Sequence, residues 1–251
     1  MDEDDRLRPI LDHLSKSFAM PDSTLSDAES AVPGAAITHN NIDGLAGEHF
    51  PMCMRYLHTT LRKDSHLKHM GRLQYTLFLK GIGMSLEECL VFWRQAFKTK
   101  TDDQFNKEYS YNVKHVYGEV GGDANRRGKG YSPYSCQKIL TEPAPGVGQA
   151  HGCPYRHFQP DKLSAFLQAS GVSDGKVLKG VREDVGAMRY HIACNRVFEW
   201  SHEAEIKKVR EDGSWTGNDL EVIVHPNTYY KRSYLLKHGI NNEGNNDTMQ
   251  T

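Results

Sequence analysis

Four of the five cysteines in this 251-residue chain have neighbours that suit a shared metal centre. Cys53 follows Phe-Pro-Met, Cys136 follows Ser-Pro-Tyr-Ser, Cys153 stands in His-Gly-Cys-Pro, and Cys194 follows His-Ile-Ala. Three of them therefore lie at turns marked by proline or glycine, where the backbone can direct a thiolate towards a common point. The fifth cysteine, Cys89, lies inside a helical pattern without turn residues and is assigned to packing.

The spacing of these cysteines indicates the kind of centre. The separations are 83, 17 and 41 residues, so the Cys-x2–4-Cys pairs of structural zinc sites do not occur among them. Four widely separated thiolates fit an iron–sulfur cubane, because such a cluster takes four cysteines from distant parts of a chain. Two alternatives stay open, a structural zinc module and four buried cysteines without a metal.

The stretch from His49 to Gly83 combines an apolar side with a cationic side. At about 100° per residue, Met70, Leu73 and Leu77 fall together and are expected to face a core. The adjoining sector of the same helical pattern holds Lys68, His69, Arg72, Thr76 and Lys80. A helix of this kind suits a polyanion lying across it, and a solvated charged face is the alternative interpretation.

Composition narrows the class of protein. With 38% apolar and 25% charged residues the chain is globular in type, and its apolar runs are too short to span a bilayer, so no membrane partner is expected. No secretory leader is recognised, and the odd cysteine count argues against a disulfide framework. Residues 1–50 hold ten acidic against three basic residues, and the remainder holds 22 against 28. The body is therefore modestly basic, which is compatible with a nucleic-acid partner.

Composition also divides the chain into four parts. Residues 6–18 carry apolar side chains at helical spacing, which predicts a helix within segment 1–18. Residues 19–46 are rich in Ser, Asp, Ala, Gly and Asn and are predicted to be a flexible linker, so the ordered domain is expected from about Gly47. The domain is expected to occupy 47–238, and the low-complexity tail, 239–251, to be disordered.

Within the body, capping signals and periodicity predict mainly helices. Ser85 with Glu88 has the capping-box pattern of a helix start, and that helix is expected to run to about Phe97. Further helices are predicted over 101–117, 161–167 and 190–202 and from Ser173, with a mobile loop over 118–131 and a short strand over 220–224. After a turn at 225–230, a final helical run is expected to end at 237–239. The fold class expected is mainly α with a small β element.

Several segments, in the same order, resemble the C-terminal domain of the eukaryotic and archaeal DNA primase large subunit. They are HFPMCMRYLH, GRLQYTLFLKGIG, KEYSYNVKH, YSPYSCQKIL, HGCPYRH and the Cys194 segment. The resemblance covers roughly residues 47–238, and segment 1–18 resembles the last helix of an N-terminal domain in that family. It implies that Cys53, Cys136, Cys153 and Cys194 bind a four-iron–four-sulfur (4Fe-4S) cluster, with two helical halves joined around the buried cluster.

The resemblance also implies a function. The chain is expected to be a regulatory, nucleic-acid-binding part of primase that holds the DNA template and the 5′-triphosphate end of the RNA primer when DNA replication begins. Polymerisation would belong to the small catalytic subunit, so the chain alone is expected not to be an enzyme. The implied partners are the primase small subunit and the catalytic and accessory subunits of DNA polymerase alpha, and the implied location is the nucleus.

The contacts that the family makes to phosphate match His66, Lys68, His69, Arg72, Lys80 and Asn112 in this chain. Their chemistry is suitable, because Arg72 offers a bidentate fork while the lysines act as point charges. Four aromatic residues are candidates for stacking on bases or sugars, with core packing as an equally weighted alternative: Tyr75, Trp93, Tyr109 and Tyr111. Each stacked base contributes on the order of 1–3 kcal/mol.

Two other functions remain as alternatives to a primase subunit. An iron–sulfur DNA-repair enzyme, such as a glycosylase or helicase, is disfavoured because the sequence has no Walker loop and no glycine-rich phosphate loop before a helix. The second alternative is a purely structural zinc module, and metal analysis would distinguish it from an iron–sulfur protein.

Overall fold

The computed structural model describes residues 31–32, 36–121, 124–215, 219 and 221–239. Throughout this part of the chain the secondary structure is helical and no strand occurs, so the mainly α class is confirmed. The helix predicted within 1–18, the greater part of the predicted linker and the tail from residue 240 lie outside the described residues. No helix in the described ranges combines the length and the apolar character that crossing a bilayer requires.

The first half of the domain consists of helices joined by short turns. In chain order they are α1 (Ile42–His49), α2 (Met52–Asp64), α3 (His69–Gly81), α4 (Leu86–Ala96), α5 (Asp102–Phe105), a π-helical turn (Asn106–Ser110) and α6 (Tyr111–Tyr117). Helices α3, α4 and α6 pack against one another, and α3 also contacts α2.

The second half contains shorter helices followed by longer ones. After a 3-10 turn (Ala124–Arg126) come α7 (Cys136–Thr141), α8 (Pro154–His157), α9 (Pro160–Ala169), α10 (Gly175–Gly186), α11 (Tyr190–Ser201), α12 (Glu203–Glu211) and α13 (Pro226–His238). Helix α10 packs along α11, and the last helix, α13, returns to contact α1 and α3.

Side-chain caps explain where several helices begin. The Ser85 hydroxyl accepts a hydrogen bond from the Glu88 amide at 3.2 Å, which confirms the predicted helix start. The predicted capping box is not completed, because the Glu88 carboxylate bonds His39. Thr101 and Gln104 form a reciprocal capping box, which satisfies two amides that a helix start leaves without partners. Near the predicted start at Ser173, the residue that caps α10 is its neighbour Asp174. Local sequence therefore sets these helix starts to within about two residues.

Two predicted boundaries differ from the structure. The stretch from His49 to Gly83 contains two helices, because Ser65 adopts a left-handed conformation (φ 51°) that ends α2. Neither glycine nor proline marks that break. The domain begins earlier than Gly47, since α1 starts at Ile42 and buries Ile42 and Ala46 inside the stretch predicted to be linker.

The predicted strand over 220–224 is wrong for its described residues, 221–224, which are not in a strand. The side-chain amide of Asn195 takes the place of a neighbouring strand. It accepts a hydrogen bond from the Ile223 amide at 2.8 Å and donates one to the Ile223 carbonyl at 2.9 Å. An extended segment with apolar alternation can therefore be held by a helix side chain alone.

Three apolar clusters form the core. The largest surrounds α2, α3 and α4 and includes the buried rings of Phe50, Tyr75, Phe78, Phe92 and Trp93. The second is built mainly by α8 to α11, and the third joins α11, α12 and α13. The predicted apolar face of α3 is only partly correct, because its most buried apolar side chains include Tyr75, Phe78 and Leu79.

Candidate functional site

The four cysteines proposed from the sequence as ligands line one cavity. Cys53 lies in the first turn of α2, Cys136 is the first residue of α7, Cys153 immediately precedes α8 and Cys194 lies within α11. Four separate elements therefore each contribute one sulfur. Cys89 is fully buried within α4 and does not line this cavity, as its assignment to packing predicted.

Burial makes these thiols difficult to ionise when no cation is present. It raises the pKa of Cys153 to about 11, although the amides of Tyr155 and Arg156 oppose the rise. The pKa of Cys53 is raised well above its usual value by burial and then by Cys153 and the other two cysteines. Four thiolates so placed repel one another, and a positively charged centre between them would offset that repulsion. The donor set therefore fits a thiolate-bound metal group.

The spacing of the sulfur atoms bears on the size of that group. Among the described residues, no three of the cysteine sulfurs lie within 4.8 Å of one another. A single tetrahedral Zn²⁺ with four bonds of about 2.3 Å would hold its sulfurs about 3.8 Å apart. The sulfur atoms are thus spread more widely than in a mononuclear zinc site. The buried Tyr155 hydroxyl on the cavity wall faces Cys194, and its hydrogen bond opposes the rise that burial causes in the Cys194 pKa.

Hydrogen bonds connect the cysteine-bearing segments to one another. The Cys136 amide donates to the Val224 carbonyl at 3.0 Å, and the neighbouring Ile223 is bound on both sides by Asn195, the residue after Cys194. The segment 221–224 consequently bridges the elements that carry Cys136 and Cys194.

A second connection links the cavity to the cationic helix α3. The Gln74 side chain accepts a hydrogen bond from the Gly152 amide at 2.8 Å and donates one to the Gly152 carbonyl at 3.3 Å. Gly152 precedes Cys153 and has φ 91°, a conformation that favours glycine. The position of Cys153 and the position of α3 are therefore coupled.

Helices α3, α4 and α6 and the segment 131–134 enclose a cleft. Six residues predicted to bind nucleic acid line it: His69, Arg72, Trp93, Tyr109, Tyr111 and Asn112. His66 and Lys68 precede α3 and are exposed. The His66 pKa is lowered by burial and then by Arg72, Lys100 and Lys68, so several cations surround this end of the helix.

Arg72 is held firmly at the cleft. Its Nη1 donates a hydrogen bond to the Leu67 carbonyl at 2.6 Å, and its guanidinium carbon lies 4.9 Å from the centre of the Tyr109 ring. Burial lowers the Arg72 pKa, with Tyr109 acting in the opposite direction. One end of the guanidinium is thus bound by the protein, which fixes the position of the side chain at the cleft.

The four aromatic candidates divide into buried and exposed residues. The stacking prediction is wrong for Tyr75 and Trp93, which are 0% and 1% exposed and pack edge-on at 6.0 Å in the main cluster. Tyr75 also bonds His58 at 2.6 Å. Tyr109 is 9% exposed and contacts Arg72, so it supports the arginine.

Tyr111 is the aromatic residue that offers surface at the cleft. It is 56% exposed, and its ring stacks on His115 at 5.9 Å with an angle of 21°. His115 in turn lies 3.3 Å from the Tyr131 hydroxyl. Sequence reasoning missed both His115 and Tyr131, although the four-residue spacing of Tyr111 and His115 on one helix was a usable signal.

Two predicted phosphate ligands have contacts with the protein itself. Lys80 is 8% exposed, and its Nζ donates to the Tyr131 carbonyl at 3.4 Å. The buried Lys80 is therefore poorly placed to meet a phosphate, in contrast to the prediction. The exposed Lys68 donates to the Val147 carbonyl at 3.0 Å, which links the start of α3 to the loop 143–149.

Comparison with known proteins gives one consistent family. The model that describes the C-terminal domain of the large subunit of eukaryotic and archaeal DNA primase matches residues 43–230. A probable DNA primase large subunit of Neurospora crassa is 63% identical over 239 residues, covering 94% of this chain and 47% of that protein.

More distant relatives agree. The DNA primase large subunit of Schizosaccharomyces pombe is 47% identical over 93% of this chain and 46% of its own length. That of Homo sapiens is 39% identical over 94% of this chain and 42% of its own length. The chain thus spans somewhat less than half the length of these relatives, and it belongs to the family of the C-terminal domain of the eukaryotic and archaeal DNA primase large subunit.

Proposed function

We propose that this chain is a non-catalytic, nucleic-acid-binding part of DNA primase that holds the DNA template and the 5′-triphosphate end of the RNA primer. The observation that carries the proposal is the cleft in which Arg72, His69, Asn112 and the exposed Tyr111 meet. A bidentate arginine and amide donors suit phosphate oxygens, and an exposed ring suits an unpaired base. Membership of the primase large-subunit family supports the same role.

The residues at the cleft divide the work between them. Arg72 and His69 would bind the charged end of the primer, and the flanking His66 and Lys68 would add to the local positive charge. Tyr111 would stack on a base of the neighbouring single strand. Each of these groups binds or orients and none transfers a group, which agrees with polymerisation by a separate small catalytic subunit.

We also propose that Cys53, Cys136, Cys153 and Cys194 bind a 4Fe-4S cluster. The convergence of four thiols from four elements and the wide sulfur spacing support a cluster over a single zinc ion. When bound, the cluster would supply four metal–thiolate bonds and a one-electron redox couple. The chain's own part is to hold the thiolates and to exclude water.

The proposed role includes partners and a location. We propose assembly with the primase small subunit and with the catalytic and accessory subunits of DNA polymerase alpha, in the nucleus. The support for this is the family alone, because the chain aligns with primase large subunits over more than nine tenths of its length.

The cofactor is tested by iron and sulfide analysis of protein prepared without oxygen. About four irons and four sulfides per chain are expected. Cys136→Ser should lose both the iron and much of the folded stability, because metal binding and folding are coupled. Cys89→Ala is the matched control, since Cys89 is buried outside the cavity, and it should keep its full iron content. Zinc without iron in the wild-type protein would overturn the proposal.

The ligand is tested with template–primer junctions that differ only at the 5′ end of the RNA. A triphosphate end is expected to bind at least tenfold more tightly than a hydroxyl end at moderate salt, and the difference should shrink as salt is raised. Equal affinity for the two ends would exclude the triphosphate role.

A further inference from the structure

The first and last helices bring three potential metal ligands together, away from the cysteine cavity. Glu48 and His49 end α1, and His238 ends α13. The Nε2 atoms of His49 and His238 are 3.3 Å apart, and Glu48 Oε2 lies 3.6 Å from His49 Nε2. All three ligand atoms lie within 4.8 Å of one another.

These separations match a known coordination geometry. Zn²⁺ bound tetrahedrally to histidine nitrogen and carboxylate oxygen has bonds of about 2.0–2.2 Å, which places its ligand atoms about 3.4 Å apart. The two separations, 3.3 Å and 3.6 Å, lie on either side of that value. Two imidazoles and one carboxylate would leave the fourth position to water.

A hydrogen-bond chain behind the site fixes the tautomer of His49. His202 Nδ1 lies 2.9 Å from both the Phe198 carbonyl and the Ser201 hydroxyl. Since the Ser201 hydroxyl donates its proton to the same carbonyl, and a carbonyl oxygen only accepts, His202 Nδ1 donates. Neutral His202 then accepts at Nε2 from the Ser233 hydroxyl, 2.8 Å away. The Ser233 oxygen, with its proton so used, accepts from His49 Nδ1 at 3.0 Å. His49 Nε2 therefore carries a lone pair, and it faces the other two ligands.

The chain of hydrogen bonds is also rigid. His49 and Ser233 are 0% exposed and His202 is 1% exposed, so water does not compete for these bonds. A partner on the second ring nitrogen is the usual support of a metal-binding histidine. Without metal, His238 Nε2–H donates to His49 Nε2, and a bound cation would take the place of that proton as His238 changes to its Nδ1–H tautomer.

We propose that Glu48, His49 and His238 form a second metal site, separate from the four cysteines, that binds Zn²⁺ in preference to Mg²⁺. Imidazole nitrogen suits zinc, whereas Mg²⁺ selects oxygen ligands in octahedral geometry. The ligands come from the first and last helices of the described domain. A bound ion would therefore tie the beginning of the domain to its end.

The test uses the full chain with its cysteine-bound metal in place. Equilibrium dialysis against micromolar Zn²⁺, followed by metal analysis, should give about one additional zinc per chain, and Zn²⁺ should raise the melting temperature. His238→Ala removes an exposed ligand without disturbing the core and should abolish both effects. Glu48→Gln should weaken zinc binding at least tenfold.

His69→Ala is the matched control, since it removes an exposed histidine elsewhere, and it should keep the additional zinc. Iron is measured in the same samples to exclude exchange at the cysteines. Three results would overturn the proposal. They are zinc uptake that His238→Ala leaves unchanged, zinc uptake accompanied by an equal loss of iron, and zinc uptake prevented by Mg²⁺ at equal concentration.

Discussion

At the scale of single residues, the cleft contains side chains fixed by the protein and side chains that are free to meet a ligand. Arg72 belongs to the first kind, because Leu67 and Tyr109 hold its guanidinium. Tyr111 belongs to the second, because more than half of its surface is exposed. The two kinds make different predictions about which substitutions are tolerated.

Replacing Arg72 is expected to weaken binding of a triphosphorylated junction. Charged hydrogen bonds contribute about 1.5–3 kcal/mol, so Arg72→Ala should lower affinity by roughly ten- to a hundredfold. Arg72→Lys keeps the charge but loses the fork and the ring contact, so its affinity should lie between those of the wild type and Arg72→Ala. The measurement is fluorescence anisotropy at fixed salt. Lys176→Ala, on the exposed surface of α10, is the control, and an effect as large as that of Arg72→Ala would show only a general charge effect.

Tyr111 tests stacking separately from charge. Tyr111→Ala is expected to cost about 1–3 kcal/mol in binding of a single-stranded template, whereas Tyr111→Phe should bind nearly as well as the wild type because the ring is kept. The loss should depend little on salt, since no charge is removed. If Phe and Ala at this position bound equally, stacking by Tyr111 would be ruled out.

The aromatic residues also show what sequence can and cannot predict at this scale. Trp93 and Tyr111 both lie at helical positions beside cations, yet one is core and the other is exposed. Their difference depends on which helix covers each ring, and local periodicity does not contain that information. The cysteine group could be predicted because three of its four members stand beside proline or glycine, a local signal that does not depend on packing, whereas Cys194 lies inside a helix and was assigned from the family resemblance.

At the scale of elements, local sequence predicts some helix boundaries and not others. The helix starts at Ser85 and Thr101 follow from caps that involve residues only three apart. The segment 221–224 depends on a partner far along the chain, Asn195, and the break at Ser65 depends on a left-handed backbone that no glycine marks. Local signals therefore predicted the capped helix starts, but not the break at Ser65 or the conformation of 221–224.

Gly81, near the end of α3, lies against residues far along the chain. A Cβ atom there would lie 2.4 Å from Pro133 Cγ and 2.5 Å from Asn227 Nδ2, and that amide also donates to the Phe78 carbonyl. Gly81→Ala is therefore expected to lower the free energy of unfolding by about 1–3 kcal/mol, through overpacking. Gly44→Ala in α1 meets nothing within 4 Å and should be neutral or slightly stabilising. Denaturant unfolding compares them, and equal stability would contradict this account of α3.

The pair α10 and α11 is joined by a buried carboxylate. Asp184 on α10 is 1% exposed and bonds Arg189 at 2.8 Å and Arg196 of α11 at 2.9 Å. Burial acts to raise its pKa, but hydrogen bonds and charge from the two arginines outweigh burial, and the pKa is lowered. A lowered pKa stabilises the fold above the unfolded value of about 4, and that stability is lost as the pH falls through the folded value.

Asp184→Asn should therefore have a lower free energy of unfolding than the wild type at pH 7. The expected loss is limited to about 2 kcal/mol, because both arginines are partly hydrated. The difference should shrink below about pH 4. Glu183→Gln, at an exposed pair 3.9 Å from Lys179 on the same helix, is the control and should have little effect at any pH. Thermal unfolding between pH 3 and pH 7 measures this, and a difference independent of pH would contradict the linkage.

At the scale of the whole molecule, the cysteine cavity lies where the three apolar clusters meet. Cys53 belongs to the first cluster, Cys153 packs against the first and second, and Cys194 packs against the second and third. A group bound by all four cysteines would join parts of the core that otherwise touch along limited surfaces. Its effect is therefore expected to spread to the cleft, through the Gln74–Gly152 hydrogen bonds.

Removal of the proposed cluster is expected to loosen this junction and to weaken nucleic-acid binding at the cleft. After oxidation and chelation, amide hydrogen exchange is expected to rise most in α7, α8 and α11, which carry cysteines or adjoin them, and least in α4, which packs in the first cluster alone. Junction affinity should fall at least tenfold although no cleft residue has changed, because the turn before Cys153 no longer fixes α3. If the exchange rates and the affinity did not change after complete loss of iron, this account would be wrong. The apolar clusters alone would then hold the two halves of the domain together.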